Sequence, residues 1–211
     1  MGGHMTINAV ARPLDLPRAL RPEERVKLRS YLEGQLELAK AKGRWRAYRD
    51  AVFCLVLLAS GSRVSATCAL RVADVHIGRG DRFLHVRQAK GGKPRKVRIP
   101  AELGAVLRGY REAFPAETGG APLFPGTLRS MTAMSRQTGW RRWKKALDAV
   151  GLDMLGRGCH AARHGLGLAL WKKTKDLRVV AAQLGHADLR STMIYTQPLP
   201  EDVDVALDAT W

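Results

Sequence analysis

A chain of 211 residues with 45% hydrophobic and 26% charged side chains can bury one good domain, and that mix excludes a disordered or fibrous protein. Its 36 Lys and Arg against 19 Asp and Glu leave a net charge of +17, which calls for a polyanionic partner, because a dense phosphate backbone rewards each cationic contact by releasing counterions. No apolar run reaches membrane-spanning length and no secretion signal opens the chain, so the expectation is a cytoplasmic protein with no membrane partner.

The first five residues, MGGHM, read as a tag scar ahead of Met5, and residues 1–19, with Pro13 and Pro17 and no clear period, as that scar plus an extended arm. From Leu20 the pattern RPEERVKLRSYLEGQLELAKAKG suits a helix, with Pro22 tolerated in the first turn, acidic Glu23 and Glu24 behind it, and Gly43 interrupting. The run AVFCLVLLAS, residues 51–60, belongs to a second helix over about 45–59 that should form the central core element. A Ser60-Gly61 turn then delivers Arg63 to the start of a third helix.

Residues 82–88 and 95–100 alternate apolar and polar, with AKGGKP between them, and predict an antiparallel hairpin. A helix is expected over about 101–113. The segment SRQTGWRRWKKALDAVG predicts a basic amphipathic helix capped by Ser135 and stopped at Gly151. Trp140 and Trp143 are expected mostly buried, with some of Arg136, Arg141, Arg142, Lys144 and Lys145 on a phosphate backbone. Three short helices follow. Basic residues are spread through periodic, core-containing segments, which fits a folded nucleic-acid-binding surface better than a basic arm. The fold class is therefore α+β, mostly helical with a small antiparallel β-sheet. Cys54, Cys68 and Cys159 show no paired zinc-ligand spacing and read as small buried side chains.

Chemistry concentrates in the last quarter, GCHAARHGLGLALWKKTKDLRVVAAQLGHADLRSTMIYTQ, which carries His160, Arg163, His186 and Tyr195. Arg63 in ASGSRVSATCALRVADV and Lys90 in QAKGGKPRKVRIP complete a set able to clamp, protonate and attack a phosphate. Guanidinium presents a planar, permanently charged fork to two phosphate oxygens. Histidine moves protons near neutral pH, and a phenol, with an ordinary pKa near 10, attacks only beside a base or strong positive charge. His164 stands four after His160, but HAARH lacks the Glu of HExxH and no third ligand is evident, so His164 is expected to pack or to position its neighbours.

With Tyr195 nine residues after His186, the run LGHADLRSTMIYTQ resembles the LGH…T…Y pattern of the tyrosine recombinases, the phage-integrase family. The resemblance covers about Leu20 to Gln197 and implies that residues 20–197 form that family's catalytic domain. It implies a site-specific DNA recombinase acting through a covalent 3′-phosphotyrosine. Tyr195 would be the nucleophile and Arg63 with Arg163 the phosphate clamp. His186 would donate a hydrogen bond to the phosphate, and His160 would accept the tyrosine proton or orient the phosphate. Lys90 on the hairpin loop would protonate the departing 5′-oxygen, with Lys93 the competing choice. A covalent intermediate conserves bond energy, so no cofactor, metal or nucleotide, is expected. The implied partners are double-stranded DNA and further copies of the chain in a synaptic homo-oligomer, with a free monomer left open and a nucleoid-associated location.

The acidic residue that many family members place three after the first arginine is Ala66 here, and the residue before Arg163 is a small Ala162. A separate amino-terminal DNA-clamp domain is not legible, which leaves open a fragment or a compact enzyme. In the tail, residues 198–211, Val203, Leu207 and Trp211 form one apolar stripe among acidic residues, expected to dock on a neighbouring protomer or to pack in cis. The alternatives to recombination are a type IB topoisomerase-like DNA relaxation and a non-catalytic DNA-binding regulator retaining the fold.

Overall fold

A helix that is apolar on every side has to be surrounded, and α2 (Trp45–Ser60) is such a helix, buried almost continuously from Ala51 to Leu58. In the computed structural model, which describes residues 19–78, 80–87, 94–116, 118–128, 130–153, 156–186, 190–196, 203 and 207–209, it packs against five other helices. The first of them is α1 (Pro22–Ala41), which lays Leu28, Leu32, Leu36 and Ala39 on α2 at helical spacing. Glu24 holds the start of α1 from two directions. It accepts from the Arg21 backbone N–H at 2.8 Å and pairs with Arg157 at 2.8 Å, a residue 133 positions further along the chain.

Helix α2 stops at Gly61, whose φ of +64° is the left-handed conformation that a glycine adopts without Cβ strain. Arg63 then caps the short α3 (Val64–Cys68). After a 3-10 turn at Val72–Asp74 come β1 (Val75–Ile77), β2 (Arg82–Val86) and β3 (Arg95–Arg98), antiparallel in the order β1-β2-β3. Their register opposes Val75 to Leu84 and Leu84 to Val97, one buried row. The buried Asp74 carboxylate anchors this edge, accepting from the Arg71 N–H at 2.9 Å and from Arg87 Nε at 2.6 Å.

The expected hairpin is thus two strands of a three-stranded sheet. β1 is too short to display an alternation, and the strands end at Val86 and Arg98 rather than 88 and 100. The turn residues 88–93 lie outside the described residues.

Helix α4 (Ala101–Ala113) covers the predicted span, and α5 (Arg136–Ala149) begins where Ser135 Oγ accepts from the Thr138 N–H at 3.1 Å. The two tryptophans of α5 part company. Trp143 is fully buried and donates Nε1–H to Gly158 O at 3.2 Å, whereas Trp140 is 46% exposed, because the buried stripe Gly139, Trp143, Ala146, Leu147 leaves position 140 on the outer face. Arg142 pairs with Asp50 and Lys144 with Asp153, while Arg136, Arg141 and Lys145 face outward. All three cysteines are buried.

The chain closes with α6 (His160–Thr174), α7 (Leu177–Leu184), α8 (Arg190–Met193) and a 3-10 turn at Ile194–Thr196; α6 is a full-length helix rather than a short one. Among the described residues no helix is long and apolar enough to cross a membrane.

Gly139 marks the tightest seam between α5 and the core. A Cβ there would stand 2.6 Å from Phe53 Cζ and 3.0 Å from Cys68 Sγ, and Phe53 is itself locked edge-on against Phe124. Alanine's better helix propensity recovers about 1 kcal/mol, less than the overpacking of a dense core costs. Gly139→Ala is expected to destabilise the fold by about 1–2 kcal/mol in urea unfolding, despite that propensity.

Candidate active site

Arg163, on the first turn of α6, is 4% exposed. Its guanidinium donates Nη1–H to Gly61 O at 2.9 Å and Nη2–H to Leu184 O at 2.5 Å. One side chain thereby ties α6 to the α2–α3 corner and to the end of α7. The corner is tight, since a Cβ on Gly61 would meet Leu166 at 2.9 Å and Leu184 at 3.0 Å. Burial, and then the neighbouring Arg63 and Arg95, lower Arg163 to about 10, which leaves it charged at neutral pH. Arg63, exposed at the head of α3, stands over this hub close enough to act on Arg163, His160 and His186.

His160 opens α6 and is lowered by burial and then by Arg163 and Arg63. One turn on, His164 is half-buried and held down to about 4, by burial first and then by His160 and Arg163. At neutral pH it is an uncharged imidazole. Its Nδ1 lies 3.1 Å from the hydroxyl of Tyr195, whose O–H donates when the ring proton sits on Nε2.

Tyr195 is 1% exposed and pushed up to about 12 by burial, with Arg163 acting in the opposite sense. Its ring occupies a slot on α6 that exists because residue 167 has no side chain: a Cβ on Gly167 would come within 2.5 Å of Tyr195 Cζ. His186, just past the left-handed Gly185 that ends α7, lies nearly parallel to the tyrosine ring, with centroids 6.4 Å apart. Its Nδ1 is 2.9 Å from Thr192 Oγ1, a buried hydroxyl on α8. Burial and then Arg163 and Arg63 lower His186 to about 4.

The fold thus brings Arg63, His160, Arg163, His186 and Tyr195 into one cluster. Lys90 and its competitor Lys93 lie outside the described residues, between the end of β2 and the start of β3. Two members were missed or undervalued in the sequence. His164 was expected to pack or position neighbours, and it is the side chain bonded to the phenol. Arg95 was missed; it shares the inner face of β3 with the buried Val97 and lies across Gly185. The alternation RKVR, which sets 95 and 97 on one face, was the signal that could have found it. Ala66 leaves the cluster without a carboxylate at that position, and among the described residues none of Arg63, Arg95 and Arg163 is paired with an acid. Crowded cations, uncharged imidazoles and a phenol form a site built for an anion and for proton transfer.

The chain matches the phage integrase family over residues 32–202. Tyrosine recombinase XerA of Pyrococcus furiosus is 31% identical over 198 residues, covering 93% of this chain and 63% of its own length. Tyrosine recombinase XerD of Yersinia pestis is 37% identical over 157 residues, covering 72% of this chain and 51% of its own. Among solved structures, the XerH site-specific recombinase bound to palindromic difH substrate superposes with a TM-score of 0.69 at 23% identity, over 91% of this chain and 53% of that one. A lambda integrase dimer bound to a COC′ core site gives 0.59 at 21% identity, over 85% and 47%. The superpositions establish the shared fold, a mostly helical domain with a small antiparallel sheet. The chain spans between half and two thirds of the length of these curated relatives. With the family matched across most of its residues, this chain belongs to the phage integrase family, the tyrosine recombinases.

Proposed function

We propose that residues 20–197 form a DNA strand-transferase domain that cleaves and rejoins duplex DNA through a 3′-phosphotyrosine at Tyr195. The observation that carries this reading is the Tyr195 hydroxyl, bonded to an uncharged His164 beside the buried Arg163. The net charge of +17 and the DNA complexes of XerH and lambda integrase support duplex DNA as the partner.

Arg63 and Arg163 meet the non-bridging oxygens of the scissile phosphate, where a planar fork and a fixed charge favour the transition state. Tyr195 Oη forms a bond to phosphorus as the bond to the 5′-oxygen breaks. His164 Nδ1 takes the phenolic proton, being the base nearest that hydroxyl, and Lys90 supplies one to the departing 5′-hydroxyl. His186, with Nδ1 accepting from Thr192, presents Nε2–H to the phosphate. His160, at the exposed head of α6, orients the phosphate. Reversal of the same proton transfers rejoins a strand without metal or nucleotide.

In the tail, Val203 and Leu207 are exposed among acidic neighbours, and we assign it to docking on a second protomer. A groove of about 1250 Å³ between α1, α2, α4, α6 and α7 offers a complementary seat, apolar at Leu55, Leu103 and Leu166 and rimmed by Arg29, Arg98 and Lys173.

A nicked suicide duplex is expected to trap a covalent protein–DNA adduct without added metal, visible on denaturing electrophoresis and lost in Tyr195→Phe. Failure on a verified cognate site would favour a DNA-binding regulator. His164→Ala should slow cleavage on the order of 10²-fold with duplex affinity retained, as for a lost general base.

The two lowered imidazoles also set a pH dependence. His164 and His186 stand at about 4 when folded against an ordinary 6.5, so the unfolded chain binds more protons between those values. Stability is full above pH 6.5 and falls as pH drops toward 4. The melting temperature should follow that slope, and His164→Asn should flatten it. Deleting residues 198–211 is expected to leave single-site cleavage intact and to abolish multimers on DNA in gel-shift and recombination assays; equal recombination would refute docking in trans.

A further inference from the structure

Three other buried or half-buried arginines hold the frame. Arg25 donates to Leu58 O and Ala162 O, Arg49 to Asp50 and to the carbonyls of Pro125 and Gly126, and Arg157 to Glu24. Arg95 is built in a different way. It is the first residue of β3, directly after the segment that carries Lys90, and its side chain runs over the carboxyl end of α7. The contact is so close that a Cβ on Gly185 would fall 2.3 Å from Arg95 Nε, 2.4 Å from Cδ and 2.6 Å from Cζ. The Leu184 carbonyl one residue earlier receives Arg163 Nη2–H, so the two guanidiniums flank a single stretch of backbone next to His186.

Arg95 Nε is buried without a hydrogen-bond partner. The charges that act on the Arg95 guanidinium are of its own sign: burial lowers it first, and Arg63 lowers it further. A half-buried cation beside a like charge is destabilised, and an anion bound there would relieve that cost.

We propose that Arg95 is a third guanidinium of the phosphate clamp, touching a non-bridging oxygen of the scissile phosphate together with Arg63 and Arg163. The inference deepens the strand-transfer reading and rests on it for the identity of the phosphate. It assigns Arg95 a catalytic contact for which its placement on β3, beside the general-acid loop and facing Gly185, is the geometric basis.

Inorganic phosphate is the probe that needs no cognate DNA. At low millimolar phosphate and constant ionic strength, the wild-type melting temperature should rise. Arg95→Met keeps the aliphatic stem over Gly185 and removes the charge. Its melting temperature without phosphate should equal or exceed that of the wild type, and its half-saturating phosphate should rise roughly tenfold or more. Arg95→Lys, which keeps a charge and loses the fork, should fall between the two.

On the nicked duplex, Arg95→Met should cleave on the order of 10²-fold more slowly, with duplex affinity within about threefold of the wild type. Unchanged phosphate affinity in both variants overturns the proposal. If Arg95→Met melts early, weakened phosphate binding in a stable Arg95→Lys still supports it. The two readings fail separately. A wild-type adduct matched by Arg95→Met removes Arg95 from the clamp and leaves strand transfer standing. Arg95-dependent phosphate binding with no Tyr195-dependent adduct does the reverse.

Discussion

A buried guanidinium bonded to two backbone carbonyls from distant parts of the chain is the constraint on which this site depends. Arg163 joins Gly61 to Leu184, and those two residues end the helices that deliver Arg63 and His186. Moving either carbonyl would leave a buried charge unsatisfied, an expensive state in a dense interior. The arrangement therefore fixes three elements against one another with more precision than apolar packing alone would give. Gly61 makes it feasible, since its left-handed turn aims the carbonyl back at α6 and its missing Cβ lets Leu166 and Leu184 close over the corner.

Most of this was legible in the sequence where one strong local signal existed. The apolar run of α2, the Ser135 cap and the turn at Ser60-Gly61 each rest on a pattern a few residues long. What escaped detection depends on contacts between distant residues. β1 is three residues long and acquires its identity only by pairing with β2. Trp140 and Trp143 look alike in sequence, and only the angle of α5 against Phe53 decides which is buried. His164 is placed by a tyrosine 31 positions away, and Arg95, on β3, by a glycine at the end of α7.

The electrostatics of the cluster follow from its composition. Arg63, Arg95 and Arg163 supply fixed positive charge; burial first lowers all three histidines, Arg163 acts in the same sense on each, and Arg63 adds to the effect on His160 and His186. Imidazoles held uncharged can accept protons at neutral pH, which a solvated histidine beside a carboxylate does less completely. With alanine at position 66, nothing at that place offsets the cations. For the proposed phosphate clamp, an anion there would gain both the direct contacts and the relief of repulsion between the guanidiniums.

Tyr195, the nucleophile of the proposed function, presents the opposite problem. A phenol at about 12 in a fully buried slot is a poor attacking group and out of reach of a phosphate outside the protein. Burial alone opposes ionisation, so the proton has to leave as the bond to phosphorus forms, and the acceptor must already be in contact; His164 meets that condition. Exposure of the hydroxyl requires the short segment 190–196 to shift. Among the described residues it is tied to the body by Thr192 to His186, by Tyr195 to His164, and by the packing of Tyr195 and Ile194 with Val180, Leu184 and Leu166. None of these contacts is to Arg163, which is bonded to Gly61 O and Leu184 O. In the proposed strand transfer, the Arg163 frame would hold the charge that meets phosphate, and the segment 190–196 would carry the attacking group.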